Sequence, residues 1–201
     1  MGANHNRVTN QLREKVGQNC ALVQFPMGLE SNFKGIIDVV EEKALYFEGN
    51  LGEDITEGPI PEEFMPEFTK RKQELIEYLS NVDDELGELF LEEVTPTKEQ
   101  IINAIRRTTL AKTFTPVFVG SALKNKGVQK LLDGVLSYLP NPSEISNFAL
   151  NEAEEKPVKV QTNPERSSRH KALSLAFKLE VRYPLRPIIN IPKLGAVKIF
   201  S

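Results

Sequence analysis

The residues best placed to bind a ligand lie in Gly120-Ser121-Ala122-Leu123-Lys124-Asn125-Lys126-Gly127, a polar stretch with a glycine at each end. The short apolar run Val117-Phe118-Val119 precedes it. Val128, Leu131, Leu132, Val135 and Leu139 follow at helical spacing. This order predicts a strand covered on both faces, a tight loop, and an amphipathic helix that stops at Pro140. α/β proteins place ligands in such loops, outside the carboxyl end of the strand. The two lysines do not make it a phosphate loop, and G-x-x-x-x-G-K-[ST] occurs nowhere in the chain. The plainer alternative is that Ser121 only caps a helix.

Composition narrows the classes. A chain of 201 residues can bury a real core and form one or two domains. Its net charge of -3 gives no electrostatic reason for tight, sequence-independent binding to naked nucleic acid. Cys20 is the lone cysteine, so no intrachain disulfide can form. With His5 and His170 it makes no zinc spacing. No apolar stretch approaches membrane-spanning length, and the first residues show neither a signal-peptide core nor an Arg-rich transit pattern.

The other elements must position the loop. Residues 3–16 read as a helix with Val8, Leu12 and Val16 on one face, Asn4 or Asn6 as cap and Gly17 after the end. Residues 21–25, 33–40 and 44–47 read as strands, the first ended by Pro26 and Gly28. Residues 50–61, acidic and rich in glycine and proline, read as a surface loop. Residues 62–93 are helical, with Phe68, Leu75, Leu79, Val82, Leu86 and Leu89 on one face and a break at Asn81 and Asp83. Glu74, Glu77, Asp84, Glu85, Glu88, Glu92 and Glu93 fall on an acidic outer face, either merely solvated or a binding surface. Thr97 caps a helix over 98–111 with Ile101, Ile102 and Ile105 inward. Arg106 and Arg107 face solvent or a nearby carboxylate. Residues 143–171 read as a polar interdomain linker and 173–181 as a strand. Pro184, Pro187 and Pro192 make the last stretch a poor candidate for paired strands.

The string GSALKNKGVQKLLDGVLSYLPNP resembles the end of the GTPase domain of the elongation factor G family, more closely its mitochondrial form. MGANHNRVTNQLREK resembles the family's stretch after its Asn-Lys-x-Asp motif, and QFPMGLESNFKGIIDVVEEKALYFEG its insertion within that domain. The resemblance covers about residues 1–181. It implies an α/β fold: an incomplete P-loop GTPase-type parallel sheet with an α+β insertion subdomain, then a linker and the first strand of a β-barrel domain. The expected parts are a GTPase-domain portion at 1–142 with its insertion at about 26–112, a linker at 143–171, the barrel start at 172–181 and an aberrant tail at 182–201. Met1 is expected to match an internal methionine of a longer protein, as a truncated gene model or alternative start would produce.

By this resemblance the Ala122 N–H donates to guanine O6, Ser121 braces the loop and Leu123 covers the base. The implied ligand is GTP or GDP, with magnesium in the full-length family. The implied activity is GTP hydrolysis that drives tRNA and mRNA through the ribosome. The implied partners are the mitochondrial ribosome and its stalk protein, the latter through the acidic insertion helices, with tRNA and mRNA engaged indirectly and no membrane. The implied location is the mitochondrial matrix. No catalytic or metal-binding residue is assigned. The phosphate loop, switch segments and Asn-Lys-x-Asp motif are not in the chain, so these residues alone are expected neither to bind GTP tightly nor to hydrolyse it. Two alternatives stay open: a non-catalytic module that binds the stalk, and part of a ribosome-recycling paralogue.

Overall fold

The computed structural model describes residues 2–49, 52–151 and 156–160. The strand expected at 173–181, the barrel start, the tail from 182, His170 and part of the expected linker lie outside the described residues. The chain divides into two units, Met1–Pro140 and Asn141–Ser201.

The first unit opens with α1, His5–Val16. The Asn4 side chain accepts from the Arg7 N–H at its start, and Gly17 ends it at φ 69. On the face that carries Val8, Leu12 and Val16, both valines are exposed, and Thr9 is the buried residue of the helix. A guanidinium docks this helix. Arg13 donates through Nε and a terminal nitrogen to the Cys20 carbonyl at 2.9 and 2.8 Å, and to Glu74 at 2.8 Å. It also lies 4.2 Å from the centre of the Tyr78 ring.

Two sheets follow. Strands β1 (Cys20–Leu22) and β6 (Thr115–Val117) pair in parallel, with Ala21 opposite Pro116. Strands β2 (Gln24–Met27), β3 (Gly35–Asp38), β4 (Lys43–Glu48) and β5 (Asp54–Gly58) form an antiparallel sheet in that order. The single strand expected at 21–25 is therefore two strands in two sheets, joined at Val23. The Val23 N–H donates to the Val117 carbonyl, and its own carbonyl accepts from the Val39 N–H. Pro26 sits inside β2 rather than ending it, which is tolerated because β2 is an edge strand. Strand β5 replaces the loop expected at 50–61. Backbone pairing with β4 holds it, and only Ile55 adds an apolar side chain to the nearby core.

Helices α2 (Met65–Ser80) and α3 (Asp84–Leu91) break where Asn81 and Asp83 predicted, and the Asp83 carboxylate accepts from the Leu86 N–H. Helix α4 (Lys98–Leu110) opens with Thr97 and Gln100 in a reciprocal capping box. These helices cover one face of the antiparallel sheet. Phe25, Ile37, Leu75, Leu79, Leu86, Ile101 and Ile105 form one core in which none exceeds 2% exposure.

Helix α5 (Val128–Tyr138) corrects the expected stripe. Leu131, Leu132, Val135 and Leu139 are all exposed, and Gly134 and Tyr138 are the buried positions. Gly134 admits the Phe118 ring: a Cβ there would lie 2.3 Å from Phe118 Cζ. Val117, Phe118 and Val119 are half-buried rather than covered on both faces, because β6 has one strand neighbour among the described residues. In the second unit, β7 (Asn147–Asn151) pairs antiparallel with β8 (Lys156–Val160), within the stretch read from sequence as a polar linker.

Candidate functional site

The loop after β6 closes on itself by backbone bonds. The Ser121 N–H donates to the Lys126 carbonyl at 2.8 Å, and the Lys124 and Lys126 N–H groups both donate to the Ser121 carbonyl at 3.1 Å. Between them, Ala122–Lys124 forms a single 3-10 turn that ends at Asn125, φ 51. Asparagine tolerates that left-handed conformation better than most residues. Ser121 does not act as the side-chain cap of the plainer alternative, since its hydroxyl makes no capping bond. Its backbone ties the loop instead. The Ala122 N–H takes no part in the closing bonds, and Leu123 is fully exposed beside it. The three residues singled out from sequence thus stand together on one turn, with a donor that the closing bonds leave unused and an exposed apolar side chain beside it.

Both glycines of the loop are required by close approach. A Cβ on Gly120 would lie 2.7 Å from the Lys126 carbonyl oxygen, and one on Gly127 would lie 2.8 Å from both the Val119 carbonyl oxygen and Ile36 Cδ1. Ile36 belongs to β3, so the antiparallel sheet reaches under the loop. Val119 packs on the cluster of Ile36, Leu45 and Phe47. At the far end of α5, Arg106 donates to the carbonyls of Ser137 and Leu139 at 2.7 and 3.4 Å, which satisfies groups that a helix end leaves open. The sequence alone assigns Arg106 to solvent or a nearby carboxylate; these two carbonyls are partners it did not indicate.

Charge is placed by the same elements. Burial pushes Glu74 up, but Arg13 and Arg71 outweigh it and hold the carboxyl below its ordinary value. Glu74 is therefore an internal tie between α1 and α2, not part of the acidic outer face. Asp83 is held low chiefly by the hydrogen bonds from Arg107, which reach it at 2.9 and 3.0 Å. Arg107 also pairs with Glu85 at 2.7 Å. Asp84, Glu88, Glu92 and Glu93 remain exposed on and after α3, together with the exposed apolar side chains of Phe90, Leu91 and Val94.

Inside the sheet, burial pushes Asp38 up although it accepts from Glu41 N–H, Gln24 Nε2 and Val40 N–H. Tyr138 is pushed up to about 12 by burial, with Asp38 and Glu41 adding to it. Burial likewise raises the Cys20 thiol, which makes it a core residue and not a nucleophile. Among the described residues, no group of three His, Cys, Asp or Glu side chains could hold a metal ion. No helix among them is long and apolar enough to cross a membrane.

Two loop neighbours carried no sequence signal. Gly52, at the approach to β5, faces the loop carbonyls, and Gln129 donates from Nε2 to the Gly52 carbonyl at 3.2 Å. Some seventy-seven residues separate the pair, and neither belongs to a motif.

No family model matches the chain. Curated relatives do. Mitochondrial elongation factor G of Culex quinquefasciatus is 56% identical over 181 residues, which is 90% of this chain and 24% of that protein. Those of Aedes aegypti and Drosophila willistoni are 54% and 55% identical over 89% and 90% of the chain, again 24% of each relative. A crystal structure of a protein from Thermus thermophilus superposes with a TM-score of 0.61 at 26% identity, over 71% of this chain and 21% of that one. The chain spans about a quarter of the length of the curated relatives it matches. Over nine-tenths of its own length the chain matches one segment of the mitochondrial members of the elongation factor G family.

Proposed function

We propose that this segment serves a mitochondrial translation elongation factor, in which guanine nucleotide and magnesium support GTP hydrolysis that drives tRNA and mRNA through the mitochondrial ribosome in the matrix. Its own part is recognition of the guanine base. Guanine O6 accepts a hydrogen bond where adenine carries a donor, so a fixed N–H separates the two bases. The carrying observation is the closed turn at Ser121, which leaves the Ala122 N–H out of its own bonding and Leu123 exposed beside it. Ala122 donates to O6, Leu123 covers the base, and Ser121 sets the turn through its backbone.

The residues here fit the base and do not fit the phosphates. The chain contains no G-x-x-x-x-G-K-[ST], so no phosphate or magnesium contact is assigned to it. One backbone hydrogen bond contributes about 1 kcal/mol net, whereas even millimolar affinity needs about 4 kcal/mol. A polypeptide of these 201 residues is therefore expected to show no saturable binding of a fluorescent GDP analogue, with or without magnesium. Micromolar saturable binding would overturn this division of labour.

The exposed face of α3 favours a second task for the same segment. Phe90, Leu91 and Val94 stand among Glu85, Glu88, Glu92 and Glu93. An apolar patch within an acidic rim suits a basic protein partner, and we assign it to the ribosomal stalk protein. Titration of purified stalk protein tests this: Leu91→Glu should abolish binding, and unchanged affinity would remove the assignment.

A further inference from the structure

We propose that the antiparallel sheet holds the guanine loop in its closed form through Gly52 and Gln129, which act as positioning residues; this rests on the guanine-binding reading above. The loop has little to hold it by itself, since it consists of one 3-10 turn and a single bridge between Ser121 and Lys126. Short polar turns with few buried contacts open at low cost. Outside contacts supply the restraint.

Gly52 lies against the turn. A Cβ built on it would be 2.9 Å from the Lys124 carbonyl oxygen, 3.1 Å from Lys126 Cγ and 3.3 Å from the Asn125 carbonyl oxygen. Its φ of 63 also favours glycine. On the first turn of α5, Gln129 donates to the Gly52 carbonyl, while its Oε1 is buried without a partner. Leaving a buried amide oxygen unpaired is costly, so the side chain is held in place by that donor bond and the packing around it. Lys130, the next residue, lies 3.8 Å from Glu57 of β5. From below, Ile36 contacts Gly127 and the Ile36, Leu45 and Phe47 cluster supports Val119. The sheet thus touches the loop at both stems, and Gly52, two residues before β5, touches its turn. A donor that must meet one acceptor position gains from this restraint, because ordering it on binding would otherwise subtract from affinity. Movement of the sheet edge would release the base.

The test is site-resolved amide exchange on the whole chain in Gln129→Ala and Gly52→Val. Ser121, Lys124, Asn125 and Lys126 report closure, and β4 and Leu139 report the surrounding fold. Closing amides should exchange roughly fivefold faster in Gln129→Ala, the factor expected from one lost hydrogen bond, with β4 and Leu139 unchanged. Gly52→Val should exceed this. Because valine at that position can disturb the sheet as a whole, Gln129→Glu serves as the second variant, keeping the shape and losing the donor. Loop exchange at the wild-type rate in both Gln129 variants overturns the proposal, and so does acceleration shared equally by β4 and Leu139.

Dissociation of a fluorescent GDP analogue from a full-length mitochondrial elongation factor G that carries this segment separates the two readings. Faster dissociation in Gln129→Ala by a similar factor supports the positioning role. Faster loop exchange with unchanged dissociation overturns it. If the wild-type protein binds no analogue, the guanine reading itself fails and exchange alone decides whether the sheet closes the loop.

Discussion

Two regions of the first unit are built from similar apolar patterns and end differently. In the antiparallel sheet and α2 to α4, Leu75, Leu79, Leu86, Ile101 and Ile105 reach 0–2% exposure. On α5, Leu131, Leu132, Val135, Leu136 and Leu139 stay 43–81% exposed. Periodicity states which face can be buried; burial also needs a partner surface, and the antiparallel sheet and α2 to α4 supply one to each other. Among the described residues, the loop region has one parallel strand pair and one helix. It is therefore held by particular contacts rather than by a core.

The widest separation should come from truncating one leucine in each region. Leu79→Ala is expected to lower stability by about 2–5 kcal/mol in urea unfolding, as for other fully buried leucines. Leu136→Ala should change it by less than about 0.5 kcal/mol. Equal losses would break the contrast. Gly134→Val sharpens it, because this is the loop unit's tightest contact. Its side chain must displace the Phe118 ring, at about 1–3 kcal/mol, with the near-ultraviolet signal of Phe118 and Tyr138 changing alongside.

Asp83→Ala tests whether a polar tie matters within the well-packed region. It removes the cap of α3 and the Arg107 contact together, and about 1–2 kcal/mol should be lost. The pH sign follows from the depressed Asp83 value: its contribution is present above the ordinary aspartate range and disappears as pH falls through the depressed one. The gap between wild type and the alanine variant should close in acid.

Asp38 has the opposite sign and the smallest effect. Its folded value is raised, so the folded state takes up a proton before the unfolded state does. Its contribution is greatest below the ordinary aspartate value and declines as pH rises through the raised one. Asp38→Asn removes that dependence. Stability at neutral pH should rise by up to about 1 kcal/mol, and the variant's lead over wild type in urea midpoint should shrink on acidification as Asp38 takes up its proton.

Much of this was readable from local rules. The break at Asp83, the cap at Thr97 and the turn at residues 120–127 depend on neighbours within a few positions, and side-chain type specifies them. Strand β5 was not readable, because an edge strand satisfied by backbone pairing needs little apolar alternation. Pro26 misled for a related reason, since a proline signals a strand end only when both edges must pair. The inward face of α1 was hidden because Arg13, not a valine, makes the contact. Gly52 and Gln129 were beyond reach, since their meeting is a product of the fold and neither residue type announces it.

The junction at Val23 has a mechanical meaning. One residue bonds to the parallel pair through its N–H and to the antiparallel sheet through its carbonyl. The crossing between the sheets contains no slack chain, and a twist applied to one sheet is delivered to the other through a single amino acid. Strand β6 receives that twist at Val117, three residues before the loop begins. A pull on the outer helices therefore acts on the turn at residues 120–127 as torque about a short axle rather than as a tug on a tether.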